Sequence, residues 1–324
     1  MQFALAARLD SVSVRYGAFT ALDRVTLSFP KGGSGLVGRN GAGKSSLLRL
    51  LLGLVKPATG GGEVLGIPLS ASGPALRGRV GYMPENDALV PGLSGLEQTV
   101  LAGELCGLAP PEAARRAHET LAFAGLGESR YRRVETFSAG MRQRLKLAVA
   151  LVHDPDLLLL DEPTVGLDPP GRRKMLELVG ELVSRLGKSV VVCTHLLSDI
   201  ERVCDHVVML EAGKVLWEGS IVSLERAGPR AFRLLYLGDD RPYRSALAAA
   251  GAEVSELSGG RETGEGLRLR AVVPASFDVR DFFRVADSQG GALCELRPEE
   301  RQLADLYHDL LDPEAAAGAL DRDG

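Results

Sequence analysis

The sequence has little of what marks membrane-spanning, secreted or nucleic-acid-binding chains. No apolar run approaches the ~18 residues of a membrane-spanning helix. The four cysteines form no CxxC pair, which favours reduced thiols, and the first residues lack the basic start of a secretory signal. The 38 basic and 42 acidic residues give a net charge of −4, which disfavours nucleic acid as a partner. With 45% apolar residues among 324, we expect a globular chain of about two domains.

Short β-rich runs alternate with longer helical patterns up to about residue 225. The apolar runs Leu157–Leu160 and Val190–Cys193 do not alternate with polar residues, which is typical of strands buried on both faces. The pattern predicts an α/β fold with a mixed or largely parallel sheet covered by helices. The predicted strands are Ser11–Tyr16, Val25–Phe29, Gly35–Val37, Val80–Met83, Leu157–Asp161, Val190–Thr194, Val207–Leu210 and Lys214–Trp217, and the predicted helices are Gly43–Leu54, Glu112–Ala124, Ala139–Val152 and Gly171–Leu186.

The pattern changes after Gly228-Pro229, which we interpret as a linker. Beyond it, the order strand, helix, strand, strand, helix, strand predicts a small ferredoxin-like α+β domain over residues 230–311. A final helix that docks by one face is predicted from the helical spacing of Leu303, Leu306, Tyr307, Leu310 and Leu311. Residues 312–324 are small, polar and acidic, so we predict a disordered tail.

A glycine-rich segment follows the short strand Gly35–Val37 and matches GxxxxGK[ST] in full. The pattern predicts a loop whose backbone N–H groups surround phosphate oxygens at the start of a helix. Lys44 is expected to reach the β- and γ-phosphates and Ser45 to hold Mg²⁺, while Ser46 adds a hydrogen bond. The predicted nucleotide-binding residues of this loop are Gly38, Asn40, Gly41, Ala42, Gly43, Lys44, Ser45 and Ser46.

The apolar strand Leu157–Leu160 ends in two carboxylates, Asp161 and Glu162. An Asp at the carboxyl end of a buried strand beside a phosphate loop is placed to bind Mg²⁺. Glu162 is placed to orient or deprotonate the attacking water. Taken alone, the segment also fits an ordinary acidic turn after a strand. Behind a phosphate loop, it predicts the second half of a hydrolytic site.

Three further positions carry both a structural and a functional interpretation. Ser138 is a good N-cap, and with Gly140 it would also present donors to a terminal phosphate at the start of a helix. His195 follows an apolar strand, where it is either a structural residue or a donor to a γ-phosphate oxygen. Tyr16 either packs at a sheet edge or stacks on adenine.

In order, these segments resemble the ATP-binding subunits of ABC transporters, over roughly residues 8–225. The resemblance implies a P-loop NTPase of the ABC type over residues 1–226, with a helical subdomain at about 86–155. Gly38–Ser45 looks like the Walker A loop, and Leu157–Glu162 looks like the Walker B strand. The other matches are the signature motif at Ser138–Met141, the D-loop at Val165–Asp168, the switch histidine at His195, the adenine-stacking aromatic at Tyr16 and the Q-loop position at Glu85.

Two motifs depart from the family pattern. Glu85 stands where the Q-loop usually has Gln, which adds negative charge near the expected metal, and the signature reads Phe137-Ser138-Ala139-Gly140-Met141 instead of LSGGQ. Both departures resemble bacterial type-2 exporter subunits, which tend to carry a small C-terminal domain. The resemblance implies that Lys44, Glu162 and His195 are catalytic, that Glu85 and Asp168 also contact the nucleotide, and that Ser45, Asp161 and Glu85 face the metal.

The resemblance further implies a homodimer, or a dimer with a paralogous subunit, around two Mg-ATP. Ser138 and Gly140 of one protomer would close over the ATP held by the other. Such a chain would hydrolyse ATP on the cytoplasmic face of the membrane and drive a separate permease. Two alternatives remain open at this point: a soluble ABC-type ATPase acting on ribosomes or DNA, and a nucleotide switch without transport.

Overall fold

The computed structural model describes residues 5–223, 230–257, 266–274, 276–299, 303–304 and 306–307. The chain divides into two compact units, Met1–Ser220 and Ile221–Gly324. The predicted linker Gly228-Pro229 and the predicted tail lie outside the described residues.

A six-stranded mixed sheet forms the centre of the first unit, in the order β10-β9-β3-β8-β7-β6. Neighbouring strands from β9 to β6 pair parallel, and β10 pairs antiparallel with β9. Every residue of β7 and β8 is buried, which explains their unbroken apolar runs. The strands are β3 (Gly33–Gly38), β6 (Val80–Met83), β7 (Leu157–Asp161), β8 (Ser189–Cys193), β9 (His206–Glu211) and β10 (Lys214–Ser220).

A second, antiparallel sheet has the order β2-β1-β4-β5. Its strands are β1 (Leu5–Tyr16), β2 (Phe19–Pro30), β4 (Thr59–Val64) and β5 (Ile67–Pro68). The sequence predicts neither of the last two, because β4 contains three glycines, which are rare in strands, and β5 has only two residues. At Gly62 (φ +156°) an added Cβ would lie 2.2 Å from the Arg8 carbonyl oxygen. Glycine is therefore required for β4 to approach β1.

Helices cover the sheets and fill the segment between β6 and β7. The predicted helices α1 (Lys44–Leu51), α4 (Pro110–Phe123), α5 (Ala139–Leu151) and α6 (Pro169–Ser184) form within a few residues of their expected limits. Helices α2 (Pro74–Arg77), α3 (Gly95–Leu105) and α7 (Leu197–Val203) were not predicted. A capping box at Ser94 and Glu97 fixes the start of α3. Helices α3 to α5 occupy the segment predicted as a helical subdomain.

The second unit has the predicted order of elements and a four-stranded antiparallel sheet, β12-β13-β11-β14. Its core centres on Tyr236 and Tyr243, whose rings stack with centroids 4.0 Å apart, and on the buried Phe282. Of the residues of the predicted docking helix, Leu303, Leu306 and Tyr307 are buried, and Leu310 and Leu311 lie outside the described residues. The elements are β11 (Arg230–Leu237), α8 (Asp240–Ala249), β12 (Glu253–Glu256), β13 (Leu267–Val273), α9 (Arg280–Ser288) and β14 (Ala292–Pro298).

Candidate nucleotide-binding site

Four loops meet at one edge of the six-stranded sheet, because each follows the carboxyl end of a parallel strand. They follow β3, β6, β7 and β8 and carry the glycine-rich segment, Glu85, Glu162 and His195. Together they border a cavity of about 580 Å³. The lining residues are Phe19, Ala21, Arg39, Asn40, Gly41, Gly43, Lys44, Ser45, Ser46, Glu85, Asp161, Glu162, Val165 and His195.

The loop between β3 and α1 has the shape of an anion cradle. Gly43 has φ +103°, and an added Cβ there would lie 2.7 Å from the Ala21 carbonyl oxygen. Lys44 Nζ donates to the carbonyl oxygens of Gly38 (2.6 Å) and Arg39 (3.1 Å), so its ammonium lies across the loop. Helix α1 begins at Lys44, and its first three residues line the cavity, so the unpaired N–H groups of a helix start lie at this end of the loop. The cradle fits a phosphate chain, because it combines free backbone donors with a positive side chain.

Glu162 and His195 lie in direct contact. Glu162 Oε1 lies 2.8 Å from His195 Nδ1 and accepts the backbone N–H of His195 (3.1 Å), while Oε2 accepts from Thr194 Oγ1 (2.9 Å). The backbone of Glu162 has φ +48°, which is uncommon for a residue other than glycine, and its N–H donates to the Cys193 carbonyl oxygen (2.8 Å). Hydrogen bonds therefore fix the carboxylate at the edge of the cavity, 8% exposed.

Asp161 lies next to Glu162 at the end of β7 and is also nearly buried. Burial raises the pKa of Asp161, and the carboxylates of Glu85 and Glu162 act in the same direction, against hydrogen bonds from Cys193 and Tyr82. Burial and the Asp161 charge raise the pKa of Tyr82 to about 12. Tyr82 Oη donates to Asp161 Oδ2 at 3.3 Å. A divalent cation would offset the charge that these carboxylates share, and Ser45, Asp161 and Glu85 supply the oxygen ligands that Mg²⁺ prefers.

The structure does not bring all predicted residues to this cavity. Among the described residues, Tyr16, Ser138, Gly140 and Asp168 are not part of its lining. Ser138 and Asp168 instead cap helices: Ser138 Oγ accepts from the Met141 N–H (3.3 Å) and Asp168 Oδ1 accepts from the Gly171 N–H (3.0 Å). Tyr16, 41% exposed, pairs across the hairpin with Phe19. Gly38 and Ala42 belong to the loop itself without lining the cavity.

Sequence reasoning missed Phe19, Ala21, Arg39 and Val165, which also line the cavity. Phe19 is 65% exposed, an unusual position for a large apolar ring. Its closeness to Tyr16 across a tight turn was the one available signal. Arg39 and Val165 lie within the predicted phosphate loop and D-loop without having been predicted to contact the nucleotide, and Ala21 carries no motif.

A buried ionic network connects the segments on either side of the site. Asp199 of α7 is 1% exposed, accepts from Thr164 Oγ1 and pairs with Arg172 Nε of α6 at 2.6 Å. Thr164 follows Glu162 by two residues, and Asp199 follows His195 by four. The network therefore ties together the two loops that hold the Glu162–His195 contact.

Comparisons with known proteins agree with this geometry. The ABC transporter family profile matches residues 22–165. Nod factor export ATP-binding protein I of Cupriavidus metallidurans is 39% identical over 213 residues, 65% of this chain and 70% of that protein. Linearmycin resistance ATP-binding protein LnrL of Bacillus subtilis is 35% identical over 66% of this chain and 69% of that protein. The dimeric, post-hydrolysis structure of the ATP-binding cassette MJ0796 with ADP and Pi has a TM-score of 0.60 and 27% identity, and covers 66% of this chain and 98% of that one.

The fold and the site thus define a nucleotide-hydrolysing P-loop cassette with an α/β core. The chain belongs to the ABC transporter family, as an ATP-binding subunit that hydrolyses ATP. This finding favours the transport interpretation over action on ribosomes or DNA. No helix within the described part of the chain is long and apolar enough to cross a bilayer.

Proposed function

We propose that two such cassettes, two copies of this chain or this chain with a paralogous subunit, enclose two Mg-ATP and drive a separate membrane permease for export. In each site, one protomer supplies the phosphate loop, Asp161, Glu162 and His195. The other protomer supplies Ser138 and Gly140 from the start of α5. The observation that carries this proposal is the position of α5, whose start lies outside the cavity of its own chain.

The environment of Gly140 supports a second protomer. Gly140 is the second residue of α5, and glycine is a poor helix former, so its use there needs a reason. An added Cβ at Gly140 would meet only Leu167 Cδ2, at an ordinary 3.8 Å. Nothing within the described chain requires the missing side chain. Close approach of an external group, such as a phosphate held by the partner, supplies the reason.

The same chain positions every other group that hydrolysis needs. Lys44 releases its two loop carbonyls and binds the β- and γ-phosphates, while the N–H groups at the start of α1 bind their oxygens. Glu162 accepts the proton of the attacking water, and His195 moves from the Glu162 carboxylate to donate to a γ-phosphate oxygen. Ser45 and Asp161, with Glu85 nearby, would hold Mg²⁺, which would neutralise phosphate charge when bound. At the rim of the cavity, the rings of Tyr16 and Phe19 stack on adenine. Asp168 contacts the nucleotide there as well.

Three exposed apolar side chains mark where a permease would contact the cassette. Val90, Leu101 and Leu105 are 45%, 36% and 80% exposed, in the loop after β6 and on α3. This loop also carries Glu85 to the cavity, so a movement there would reach the nucleotide. The relatives' names, Nod factor export and linearmycin resistance, support export as the direction.

Two experiments test this proposal. The specific ATPase activity of the purified chain should fall on dilution, because only the dimer has complete sites. An activity independent of concentration would contradict the dimer.

Leu105→Glu should release the chain from membranes of its host at unchanged ATPase activity in solution. Leu186→Glu, at a 54% exposed residue just after α6, is the matched control. Equal membrane retention of both variants would exclude α3 as the contact.

A further inference from the structure

A buried lysine lies beneath the cavity and has no part in the family motifs. Lys146, in the middle of α5, is 4% exposed. Its Nζ donates to three successive carbonyl oxygens, those of Pro84 (2.8 Å), Glu85 (2.9 Å) and Asn86 (3.4 Å). The helix that begins at Ser138 therefore holds the loop after β6 by its backbone. An ion pair at 3.6 Å between Arg142 and Asp87 adds a second, more exposed link.

This loop brings an additional carboxylate to the nucleotide cavity. Glu85, Asp161 and Glu162 all line it, whereas the family pattern has a neutral Gln in place of Glu85. Three carboxylates in one cavity repel one another and any polyphosphate. A positive charge held close by reduces both effects.

A buried ammonium is a costly way to satisfy three carbonyls. Transfer of a lysine from water to the interior costs several kcal/mol, and a neutral amide donor would avoid that cost. Burial indeed lowers the pKa of Lys146, while the charges of Asp87, Glu85 and Asp161 act in the opposite direction. Because Lys146 Nζ lies 2.9 Å from the Glu85 carbonyl oxygen, its charge is held on the backbone of the residue that brings the extra carboxylate.

We propose that Lys146 is a positioning residue that fixes the loop at residues 84–86 and supplies the positive charge that balances Glu85 beside Asp161 and Glu162. The proposal rests on the proposed function, since it assumes that this cavity binds ATP. The proposal explains how the chain tolerates Glu85 where the family pattern has Gln. The additional negative charge of Glu85 is balanced by the buried Lys146 of the same unit.

A double-mutant cycle between Lys146 and Glu85 tests the charge balance. ATP affinity is measured by equilibrium titration without Mg²⁺, in EDTA, with Lys146→Met, Glu85→Gln and the double variant. We expect Lys146→Met to weaken binding about tenfold. Glu85→Gln should restore most of that loss in the double variant and change the affinity much less in the wild-type background. Additive effects would overturn the proposal. Lys174→Met, at a half-exposed lysine of α6, is the control and should leave affinity unchanged.

Two conservative variants separate charge from hydrogen bonding. Lys146→Gln keeps a donor for the carbonyls but removes the charge, and Lys146→Arg keeps the charge. If charge matters, Lys146→Gln should lose ATP affinity like Lys146→Met, and Glu85→Gln should rescue it. A wild-type affinity for Lys146→Gln would overturn the proposal. This pair also serves if Lys146→Met does not fold.

Thermal unfolding without nucleotide gives a readout that does not depend on ATP binding. Glu85→Gln should raise the melting temperature of the Lys146→Met or Lys146→Gln chain by more than it raises that of the wild type. Equal shifts would contradict the pairing of these charges. If the wild-type chain bound no ATP, the proposed function would fail, yet this cycle would still decide whether Lys146 balances Glu85.

Discussion

The phosphate-loop side of the cavity and the start of α5 differ in how far a single chain completes them. On the first side, Lys44 and Glu162 already have hydrogen-bond partners, and the strand ends that carry Asp161 and His195 are buried. At the start of α5, Ser138 is exposed, and a Cβ added at Gly140 would meet only Leu167 Cδ2, at 3.8 Å. One chain therefore holds a preorganised half-site and presents an open surface for the other half. Variants on the two sides should behave differently.

The largest effect is expected on the preorganised side, at Glu162. Glu162→Gln keeps the shape of the side chain but removes the base, so ATP hydrolysis should fall about 10³-fold while ATP still binds. Steady-state ATPase assays and nucleotide titration measure the two effects. Glu177→Gln, at an exposed residue of α6, is the control. Wild-type hydrolysis by Glu162→Gln would refute the assignment of the base.

Lys44→Ala should weaken the binding of ATP, whereas Glu162→Gln should affect only its hydrolysis. Loss of a charged donor to the phosphates should weaken ATP affinity by roughly 10- to 100-fold. Isothermal titration checks this, with the exposed Lys214→Ala as the control. Because Lys44 also donates to the Gly38 and Arg39 carbonyls, the melting temperature of the variant should be recorded. An unchanged affinity in a folded variant would contradict the phosphate-loop assignment.

Ser138→Ala tests the surface at the start of α5. Loss of the Ser138 hydroxyl should slow hydrolysis of the ATP that the partner protomer holds. The hydroxyl contributes one hydrogen bond to charged phosphate, so hydrolysis should fall about tenfold. The variant also loses a helix cap, which costs about 1 kcal/mol. Ser94→Ala removes the matching cap of α3 and serves as the control.

A mixture of two variant chains tests more directly whether Ser138 acts on the partner's nucleotide. A mixed dimer of Ser138→Ala and Glu162→Gln has one site with both groups intact, if Ser138 acts on the partner's ATP. Activity of the mixture should exceed the mean of the two separate variants. Activity at or below that mean would place Ser138 in the site of its own chain.

The rim aromatics should have a smaller effect. Stacking on adenine by Phe19 or Tyr16 predicts that replacing either with Ala weakens ATP binding about fivefold. Binding of inorganic triphosphate, which has no base, should not change. Phe283→Ala, at an exposed ring of the second unit, is the control. Equal losses for ATP and triphosphate would contradict stacking.

Deletion of the residues after Arg226 should have the smallest effect on ATP affinity. All lining residues of the cavity belong to the first unit, so ATP affinity should stay within about twofold. Titration of the shortened chain measures this, after circular dichroism shows that it folds. A larger loss would assign the second unit a role in nucleotide binding. A change in dimerisation at constant affinity would instead give it a role in assembly.

Much of the fold follows from local patterns in the sequence. The continuous apolar runs at β7 and β8 identify strands buried on both faces, and the helical periods of α4 to α6 give their limits within a few residues. Strand β4 could not be predicted, because its glycines are required only by the closeness of β1. Helices α3 and α7 were missed because α3 lacks a clear apolar face and α7 is short.

The candidate site also has parts that the sequence predicts and parts that it does not. Spacing alone predicts the phosphate loop and the Asp161-Glu162 pair, since their residues are close together along the chain. The Glu162–His195 contact, the Asp199 network and the clamp of Lys146 on residues 84–86 join segments 27 to 62 positions apart. Local pattern carries no information on such pairs. Ala21 lines the cavity through the fold and without a motif.

The measurement that tests the central claim most directly is the mass of the Glu162→Gln chain in solution, by light scattering after gel filtration, with and without Mg-ATP. The account predicts a monomer without nucleotide and a dimer with it. It also predicts that Lys44→Ala, added to Glu162→Gln, prevents the change. A chain with bound ATP that stays monomeric at every concentration would contradict the shared site.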